Sequence, residues 1–365
     1  MKGLNKGYAW AIMLMLIAIV SLVATACGQK PTPPQAEQPQ WKVGIVYDIG
    51  GRGDLSFNDM AAAGLDKAKQ EFGTKLQASE LEPTGTGEDR EALLRTLAEQ
   101  GYQLIFGVGF LFTDAIAAVA KDFPNTKFAI IDSCPEGNLP NVACLQFKEH
   151  EGSFLVGAAA ALKTNTGKVG FVGGMQIPLI EKFEAGYTAG VYYINPQIKV
   201  ISKYAGTTPD AFANPTKGYE LATAEYRAGA DIIYHASGKT GEGVFKAATE
   251  QKKLAIGVDA DQSLTAPEDE RPYILTSMRK KVDVAVYDTI KAFTEGQFTA
   301  GPQYFGLKEG GVDYSVNDYN KNMMADIQPK LDELKQKIIS GEIVVPTSMK
   351  EFNDTFKQAV GSSGH

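Results

Sequence analysis

From Trp41 onward, short apolar runs alternate with segments whose apolar residues recur at helical spacing. The apolar runs are rich in β-branched residues and are bounded by polar or glycine-containing turns, a pattern that predicts buried strands. The predicted strands are 43–47, 77–82, 104–108, 127–132, 142–147, 169–173, 200–204, 231–235 and 254–259. The predicted helices include 59–72, 88–100, 151–163, 178–194, 217–228 and 243–251.

Strand–helix alternation of this kind indicates an α/β fold in which helices cover both faces of parallel sheets. The chain carries two runs of such units, and together they hold too many strands for one compact core. We therefore expect two doubly wound parallel-sheet lobes. Ligands of open α/β sheets bind beyond the carboxyl ends of the strands, so two such edges facing each other would form a closing cleft.

The last quarter of the chain indicates that it crosses back between the lobes. Residues 273–295 predict a strand and a helix, residues 304–307 and a turn at Gly310 and Gly311 follow, and residues 326–339 predict a long polar helix. We expect an N-terminal lobe of residues 41–148 plus 275–304 and a C-terminal lobe of 149–274 plus 305–365. The three hinge segments are expected near 147–150, 273–277 and 304–307.

The first 26 residues have the layout of an export signal. Lys2 and Lys6 precede an apolar stretch, and small residues lead into Cys27. The apolar run of 18 residues is also long enough for a membrane-spanning helix, which is the alternative. A single cysteine after small residues resembles the lipobox of bacterial lipoproteins, in which the thiol is acylated. We therefore expect a signal peptide at 1–26 and, at 27–40, a lipidated Cys27 with a Pro- and Gln-rich flexible tether.

Composition and charge narrow the classes of protein. The hydrophobic fraction of 44% and the charged fraction of 22% are those of a soluble globular chain, which excludes global disorder and a multi-span membrane protein. The net charge is −7, and it becomes −9 without the first 26 residues, whose only charges are two lysines. Nucleic acid is therefore an unsuitable partner.

Cys134 and Cys144 are the other two cysteines of the chain. They lie across a predicted strand–loop–strand of an exported chain, where an oxidising compartment favours a disulfide. Two unpaired buried thiols are the alternative.

The loop after the first predicted strand carries the first candidate site. It runs from Asp48 through three glycines to Asp54, Ser56, Phe57 and Asn58, and a helix follows. Most of this loop has a sufficient structural explanation. The glycines would form the turn, and Ser56 or Asn58 would cap the helix. Phe57 is the exception, because a large aromatic side chain between two polar ones stands here at a position where ligands bind.

Three acids end predicted strands, namely Asp48, Asp132 and Asp259. One alone would be a turn cap, but three on one rim indicate a site, because a carboxylate accepts paired hydrogen bonds from vicinal hydroxyls or from the N–H edge of a base. Gly238 opens a Gly-Lys-Thr-Gly-Glu-Gly turn that is not a Walker loop, since Ile233 stands where the required glycine would be. Its backbone amides remain available to a neutral polar ligand.

The sequence offers little for catalysis. The histidines are His150, His235 and His365, without zinc-ligand spacing, and no Gly-x-Ser-x-Gly elbow is present. We interpret His235 as a hydrogen-bonded histidine at a strand end. We expect no enzyme activity, no cofactor and no metal.

Five motifs together resemble the basic membrane lipoprotein family, the purine nucleoside receptor-like substrate-binding lipoproteins of ABC importers. They are Asp48…Asp54-x-Ser-Phe-Asn58; Lys-Phe183-x-x-Gly-Tyr-x-Ala-Gly190 with Asn-Pro196 after it; Gly238-x-x-Gly241-x-Gly243; Gly257-Val-Asp-x-Asp-Gln262; and Thr276-Ser-x-x-Lys280-x-x-Asp283-x-Ala-Val286. The resemblance covers residues 42–346. It implies a type I periplasmic-binding-protein fold with a three-segment hinge, an ABC permease and ATPase as partners, and lipid anchoring at the extracytoplasmic side of the cell membrane.

The resemblance also implies roles for individual residues. Phe57 and Phe183, with Phe212, correspond to an aromatic clamp on a purine, and Asn58 and Asp132 to groups that read the base edge. Asp259 corresponds to a ribose-binding acid, and Lys280 and Gly238 to donors toward the sugar. Three acids near one lysine favour nucleosides over nucleotides, because a phosphate would be repelled in a desolvated cleft.

Three other readings remain open from the sequence. An exported nucleoside hydrolase or other glycosidase would also place acids at strand ends. The same fold with a sugar or another small signalling molecule is the second, since sugars also pack on aromatic rings. A sugar-repressor-like regulator is disfavoured, because no DNA-binding helix pair precedes the domain.

Overall fold

The structure, a computed structural model, describes residues 38–137 and 139–362. The predicted signal, Cys27 and most of the predicted tether lie outside the described residues. In the part of the chain that is described, no helix is long and apolar enough to cross a bilayer. The chain from Pro39 onward is one compact unit.

Twelve strands form two sheets of six in the described residues. The strands are β1 Trp41–Val46, β2 Leu76–Leu81, β3 Leu104–Gly107, β4 Lys127–Ile131, β5 Val142–Phe147, β6 Lys168–Met175, β7 Lys199–Gly206, β8 Ile232–Ala236, β9 Leu254–Asp259, β10 Ile274–Lys280, β11 Gly301–Phe305 and β12 Val312–Tyr314. All nine strands that the sequence predicts with stated bounds are present. Their observed ends differ from the predicted ends by at most two residues.

The helices lie between the strands, as expected for an α/β fold. They are α1 Phe57–Phe72, α2 Arg90–Glu99, α3 Thr113–Asp122, α4 Glu149–Lys163, α5 Pro178–Ile194, α6 Pro215–Arg227, α7 Gly241–Gln251, α8 Gln262–Thr265, α9 Val282–Thr294, α10 Lys321–Met324, α11 Gln328–Ile339, α12 Met349–Glu351 and α13 Lys357–Ser362. Short 3-10 turns at Phe110–Phe112, Pro209–Phe212 and Gly238–Thr240 precede or follow them.

The first sheet has the order β11-β5-β4-β3-β1-β2, and all of its strand pairs are parallel. Its central strands are buried on both faces, from Val43 and Ile45 in β1 to Ile130 and Ile131 in β4. Unbroken apolar runs are what a sheet covered by helices on both sides requires.

The second sheet has the order β12-β10-β9-β8-β6-β7, with only the edge strand β12 antiparallel to its neighbour. The predicted lobe boundary at residue 275 is wrong, because β10 pairs along its length with β9 and so belongs to this second sheet. The chain returns to the first lobe only after Lys280, where α9 packs against α1.

Helices α4 and α5 pack against each other in the second lobe. Gly157 of α4 and Gly190 of α5 lie against the partner backbone, at Tyr187 and Phe154 respectively, where any Cβ would overlap a carbonyl oxygen. This contact fixes α5 along α4, and α5 carries Phe183 at the edge of the cleft between the sheets.

The chain passes between the sheets three times, after Phe147, after Lys280 and after Phe305. A fold of two doubly wound lobes with a three-segment linkage is therefore observed. The second crossing lies later than the predicted segment at 273–277, whereas the first and third fall where the hydrophobic pattern places them.

Candidate functional site

A cavity of about 620 Å³, part of it open to solvent, lies between the carboxyl ends of the two sheets. The cavity brings together all nine residues that the sequence singled out for ligand binding: Asp48, Phe57, Asn58, Asp132, Phe183, Phe212, Gly238, Asp259 and Lys280. Phe110, Leu179 and Ser237 also line it.

Asp54 organises the loop that presents Phe57. Its two carboxylate oxygens accept hydrogen bonds from the backbone N–H groups of Ser56, Asn58 and Asp59 at 2.9–3.1 Å. These are the free donors at the start of α1, so Asp54 caps this helix, and the expectation that Ser56 or Asn58 does so is wrong. The cap fixes Phe57 as the first residue of α1, half-buried at the cavity.

The Asn58 side chain holds the loop together. Its Oδ1 accepts from the Asp48 N–H at 2.9 Å, and its Nδ2 donates to Asp54 Oδ2 at 3.1 Å. Both ends of the amide thus have partners within this loop, and the side chain is 1% exposed. Asn58 therefore orients Asp48, a structural task that the sequence did not indicate.

Arg90, at the start of α2, was missed by the sequence analysis. Its guanidinium donates to Asp48 Oδ1 at 3.1 Å and lies over the Phe112 ring at 5.5 Å. Burial raises the pKa of Asp48 to about 6, and the Ile49 N–H and Arg90 limit the rise. Arg90 is 42 residues from Asp48 in sequence, and the parallel pairing of β1 with both β2 and β3 brings the start of α2 to this edge.

Lys280 is at the centre of the cavity wall. It is 1% exposed, and its ammonium lies 5.0 Å from the ring centre of Phe57, 5.1 Å from that of Phe147 and 5.6 Å from that of Phe183. The two rings proposed as the clamp, one from each lobe, therefore flank the same cation. Such contacts stabilise a buried ammonium.

Carboxylates complete the surroundings of Lys280. Its ammonium donates to Asp132 Oδ2 at 2.5 Å and pairs with Glu149 Oε1 at 3.3 Å. Burial by itself lowers the pKa of Lys280, but Asp132, Glu149 and Asp259 more than offset it, so the pKa rises and Lys280 is charged.

Glu149, which the sequence analysis also missed, is fully buried at the first crossing and pairs with Lys182 at 3.5 Å. A charged Lys-Glu-His-Glu run directly after a buried strand was the available signal.

Asp132 has one oxygen left over. Its Oδ2 accepts from Lys280, whereas its Oδ1 is buried without a hydrogen-bond partner among the described residues. Burial raises the pKa of Asp132, and the nearby Lys280 limits the rise. A buried acceptor without a donor is costly unless something supplies one, so this oxygen is suited to a ligand N–H or O–H.

Asp259 connects the two lobes. Its Oδ2 accepts a 2.6 Å hydrogen bond from Ser56 Oγ of the first lobe. Burial raises the pKa of Asp259 to about 7, although Lys280 and Ser56 act against the rise. Ser56 thus links the lobes instead of capping α1.

Both strand-end acids have left-handed backbones, with φ of 67° at Asp132 and 62° at Asp259. This conformation is uncommon outside glycine, although Asp tolerates it better than most residues. Asp132 directly follows β4 and Asp259 is the last residue of β9, and at both the chain turns sharply at the cavity. The sequence indicated only that each Asp stands at the end of an apolar run, and it gave no sign of the left-handed backbone.

Gly238 begins the 3-10 turn that leads into α7 and has φ 56°. A Cβ there would lie 3.1 Å from the backbone oxygen of Phe212, so glycine allows both the turn and the close approach of the Phe212 segment. The Phe212 ring packs edge-on to Phe110 of the other lobe, 6.4 Å between centres.

His235 has the structural role that was predicted. Its ring nitrogens lie 2.9 Å from Gln262 Oε1 and 3.3 Å from Ser237 Oγ, and burial lowers its pKa to about 4. It is fully buried in β8, so it is neutral near pH 7.

Comparison with known proteins agrees with this architecture. A solved solute-binding protein of an ABC transporter system from Aeropyrum pernix K1 superposes with a TM-score of 0.75 at 33% identity, covering 88% of this chain and 98% of that one. The match confirms the expected type I periplasmic-binding-protein fold.

Sequence relatives cover nearly the whole chain. A lipoprotein of Pyrococcus abyssi is 35% identical over 95% of both chains. An ABC transporter nucleoside-binding protein of Lactococcus lactis is 35% identical over 84% of this chain and 89% of its own length. The family model described as ABC transporter substrate-binding protein PnrA-like matches residues 41–349, and the chain therefore belongs to this family, Bmp, of ABC transporter substrate-binding proteins.

Proposed function

We propose that the cavity binds a purine nucleoside and that the protein delivers it to an ABC importer. The observation that carries the proposal is the placement of Phe57 and Phe183, from opposite lobes, around a cavity that also holds Asp132, Asp259 and Lys280. Stacking on aromatic rings is worth about 1–3 kcal/mol per base in proteins that bind single strands, enough to orient a purine. The nucleoside-binding relative from Lactococcus lactis supports this ligand class.

The polar groups divide between base and sugar. Asp132 Oδ1, buried and without a partner, accepts from the base edge, where a purine presents N–H groups. Asp259 accepts from the two ribose hydroxyls, and Lys280 and the Gly238 backbone N–H donate to sugar oxygens. Asn58 acts by orienting Asp48, because the structure gives both ends of its amide partners inside the loop.

Charge favours a neutral ligand. The residues that line the cavity include four carboxylates, Asp48, Asp54, Asp132 and Asp259, and a single ammonium, that of Lys280. Burial raises the pKa of all four acids, which shows that negative charge is already unfavourable here. A phosphate would add to it, so nucleosides bind in preference to nucleotides.

Capture proceeds by closing the lobes. Among the described residues, hydrogen bonds from Ser56 to Asp259, from Gln262 to the Leu55 carbonyl and from Lys280 to Asp132 span the cleft. Rotation about the three crossings would separate the lobes and admit the ligand, which then bridges them and favours the closed state.

We further propose that acylated Cys27 anchors the protein to the extracytoplasmic side of the cell membrane. The small residues before this cysteine and the apolar signal support it, as does the lipoprotein from Pyrococcus abyssi. The Pro- and Gln-rich tether then gives the lobes reach toward the permease and its ATPase.

Thermal unfolding with a panel of nucleosides, free bases and pentoses tests the proposal. A ligand that binds only the native state stabilises it by RT ln(1 + [L]/Kd), so inosine, guanosine or adenosine raises the Tm while ribose does not. Chromatography after prolonged incubation with inosine should find intact nucleoside. Release of free base would contradict the binding role and favour a nucleoside hydrolase instead.

A further inference from the structure

A second cavity, of about 920 Å³ including open solvent, lies beside the cleft. Its apolar wall is formed by Pro215, Tyr219 and Phe245, two acids, Glu242 and Glu270, line it, and Leu55 closes one end. We name it the Leu55 groove. Leu55 directly follows the helix cap Asp54, and Glu242 lies in the first turn of α7 after the Gly238 turn, so the groove adjoins the nucleoside cavity.

The groove is built from both lobes. Leu55 belongs to the β1–α1 loop of the first lobe, and the other residues named belong to the second. Leu55 has φ 54°, which is unusual for leucine. Its N–H donates to Asp59 at 3.0 Å, and its carbonyl accepts from Gln262 of the second lobe at 3.1 Å. Separation of the lobes breaks the second bond, so the groove is complete only in the closed protein.

Neither acid has a hydrogen-bonded cation among the described residues, although Lys246 also lines the groove. Burial raises the pKa of Glu242 and raises that of Glu270 to about 7, while Lys239 and Lys246 oppose these shifts through charge alone. Lys246 lies over the Tyr219 ring, 5.7 Å from its centre. Partly desolvated carboxylates in an apolar groove are complemented by a cation that arrives with apolar neighbours.

We propose that the Leu55 groove is the surface through which the closed, loaded protein docks on its permease, and that it receives a permease segment carrying a Lys or Arg between apolar side chains. The inference rests on the proposed function. A surface assembled from both lobes lets the permease distinguish the loaded form from the open one, because only the closed state presents it complete.

The test uses the lipidated full chain. It is expressed in cells of its source organism from which the native gene for this protein has been deleted. The variant is Glu242→Gln with Glu270→Gln, which removes two charges and keeps the shape. The matched control is Glu99→Gln with Glu295→Gln, two exposed acids distant in sequence from the groove. Tyr219→Ala is a second variant of the groove. For each protein, inosine binding is measured by calorimetry on purified protein. Uptake of radiolabelled inosine by the cells is measured at an inosine concentration that saturates binding.

We expect both groove variants to bind inosine within about twofold of the parent and to support uptake at least tenfold more slowly, while the control supports uptake at the parental rate. Parental uptake by the groove variants would overturn the docking role. Parental protein that binds no inosine would instead overturn the proposed function. Sedimentation that shows a dimer of the parent and a monomer of the groove variants would assign the groove to a second copy of this chain and also refute the proposal.

Discussion

Lys280 of the second lobe donates a 2.5 Å hydrogen bond to Asp132 of the first, at the carboxyl ends of β10 and β4. The other oxygen of Asp132 is buried and has no partner among the described residues. One carboxylate thus joins the lobes through one oxygen and keeps the second for a ligand. Asp132 therefore takes part in both lobe closure and ligand recognition, so a substitution of Asp132 or of Lys280 affects both processes.

Lys280→Met should lower the free energy of unfolding by about 3–5 kcal/mol, because it leaves Asp132 and Glu149 buried without their shared cation. Urea unfolding of the ligand-free protein measures this. Lys321→Met is the control, since Lys321 pairs with Asp318 on the surface and its loss should change stability little. Equal losses in the two variants would contradict the structural role given to Lys280.

Phe57→Ala and Phe183→Ala should each weaken inosine binding about 5- to 150-fold, the equivalent of about 1–3 kcal/mol of stacking. Calorimetry measures the affinity. Phe72→Ala is the control at the far end of α1, where Phe72 packs on Trp41 with 5.6 Å between ring centres. It should leave affinity unchanged, and a loss as large as that of Phe57→Ala would show that the effect comes from helix packing.

Inosine affinity should rise with pH between about 5 and 8. Asp259, with a pKa near 7 in the free protein, must be ionised to accept from two ribose hydroxyls, so affinity falls by up to about tenfold per pH unit below that value. Asp259→Asn should bind more weakly and lose most of the pH dependence above pH 6.5. Calorimetric titrations across this range decide it, and an unchanged slope in the variant would refute the role of Asp259.

The same raised pKa has the opposite effect on folding. The folded protein holds the Asp259 proton more tightly than the unfolded chain, so this contribution to stability is full below about pH 4 and is lost as pH rises through about 7. The unfolding free energy of the parent relative to Asp259→Asn should therefore decline over this range. A relative stability that increases with pH would contradict the burial of an unpaired acid.

The disulfide between Cys134 and Cys144 should support ligand binding as well as stability. Cys134 lies two residues after Asp132 and is bonded to β5, and the intervening Ser133 is hydrogen-bonded to Thr113 at 2.7 Å. Replacing both cysteines by alanine should lower the unfolding free energy by about 2–3 kcal/mol, the value for a loop of this length, and should weaken inosine binding.

The effect on inosine binding tests whether the disulfide positions Asp132 or only stabilises the fold as a whole. In an Asp132→Asn background, removal of the disulfide should change inosine affinity little. The double-mutant cycle should therefore give a coupling free energy between the disulfide and Asp132 above about 0.5 kcal/mol. Fully additive effects would show that the disulfide does not act through Asp132. Intact-mass measurement before and after reduction verifies the bond itself.

Local signals in the sequence were sufficient to place Asp48, Asp132, Asp259 and Phe57, whereas Phe183, Phe212 and Lys280 were placed by the family resemblance. Asp48, Asp132 and Asp259 each follow a buried apolar run, and in parallel sheets the ends of such runs meet at one edge. Phe57 stood out because an aromatic side chain between polar residues has no packing reason at a turn. These inferences need only the period of the pattern and the direction of the strands.

Contacts between distant segments were not predictable from the sequence. Arg90 reaches Asp48 because β2 and β3 both lie beside β1, and Glu149 reaches Lys280 because two crossings meet. The role of Asn58 depends on which groups surround its amide, and residue type alone does not specify that. The boundary at 275 failed for a similar reason, since a buried strand has the same pattern in either sheet.

Isothermal titration of the parent protein with inosine and, separately, with inosine monophosphate tests the central claim most directly. The aromatic walls and the excess of carboxylates predict one tight site for the nucleoside and much weaker binding of the monophosphate. Equal affinity for the two, or no binding of any nucleoside beside clear binding of a pentose, would contradict the account.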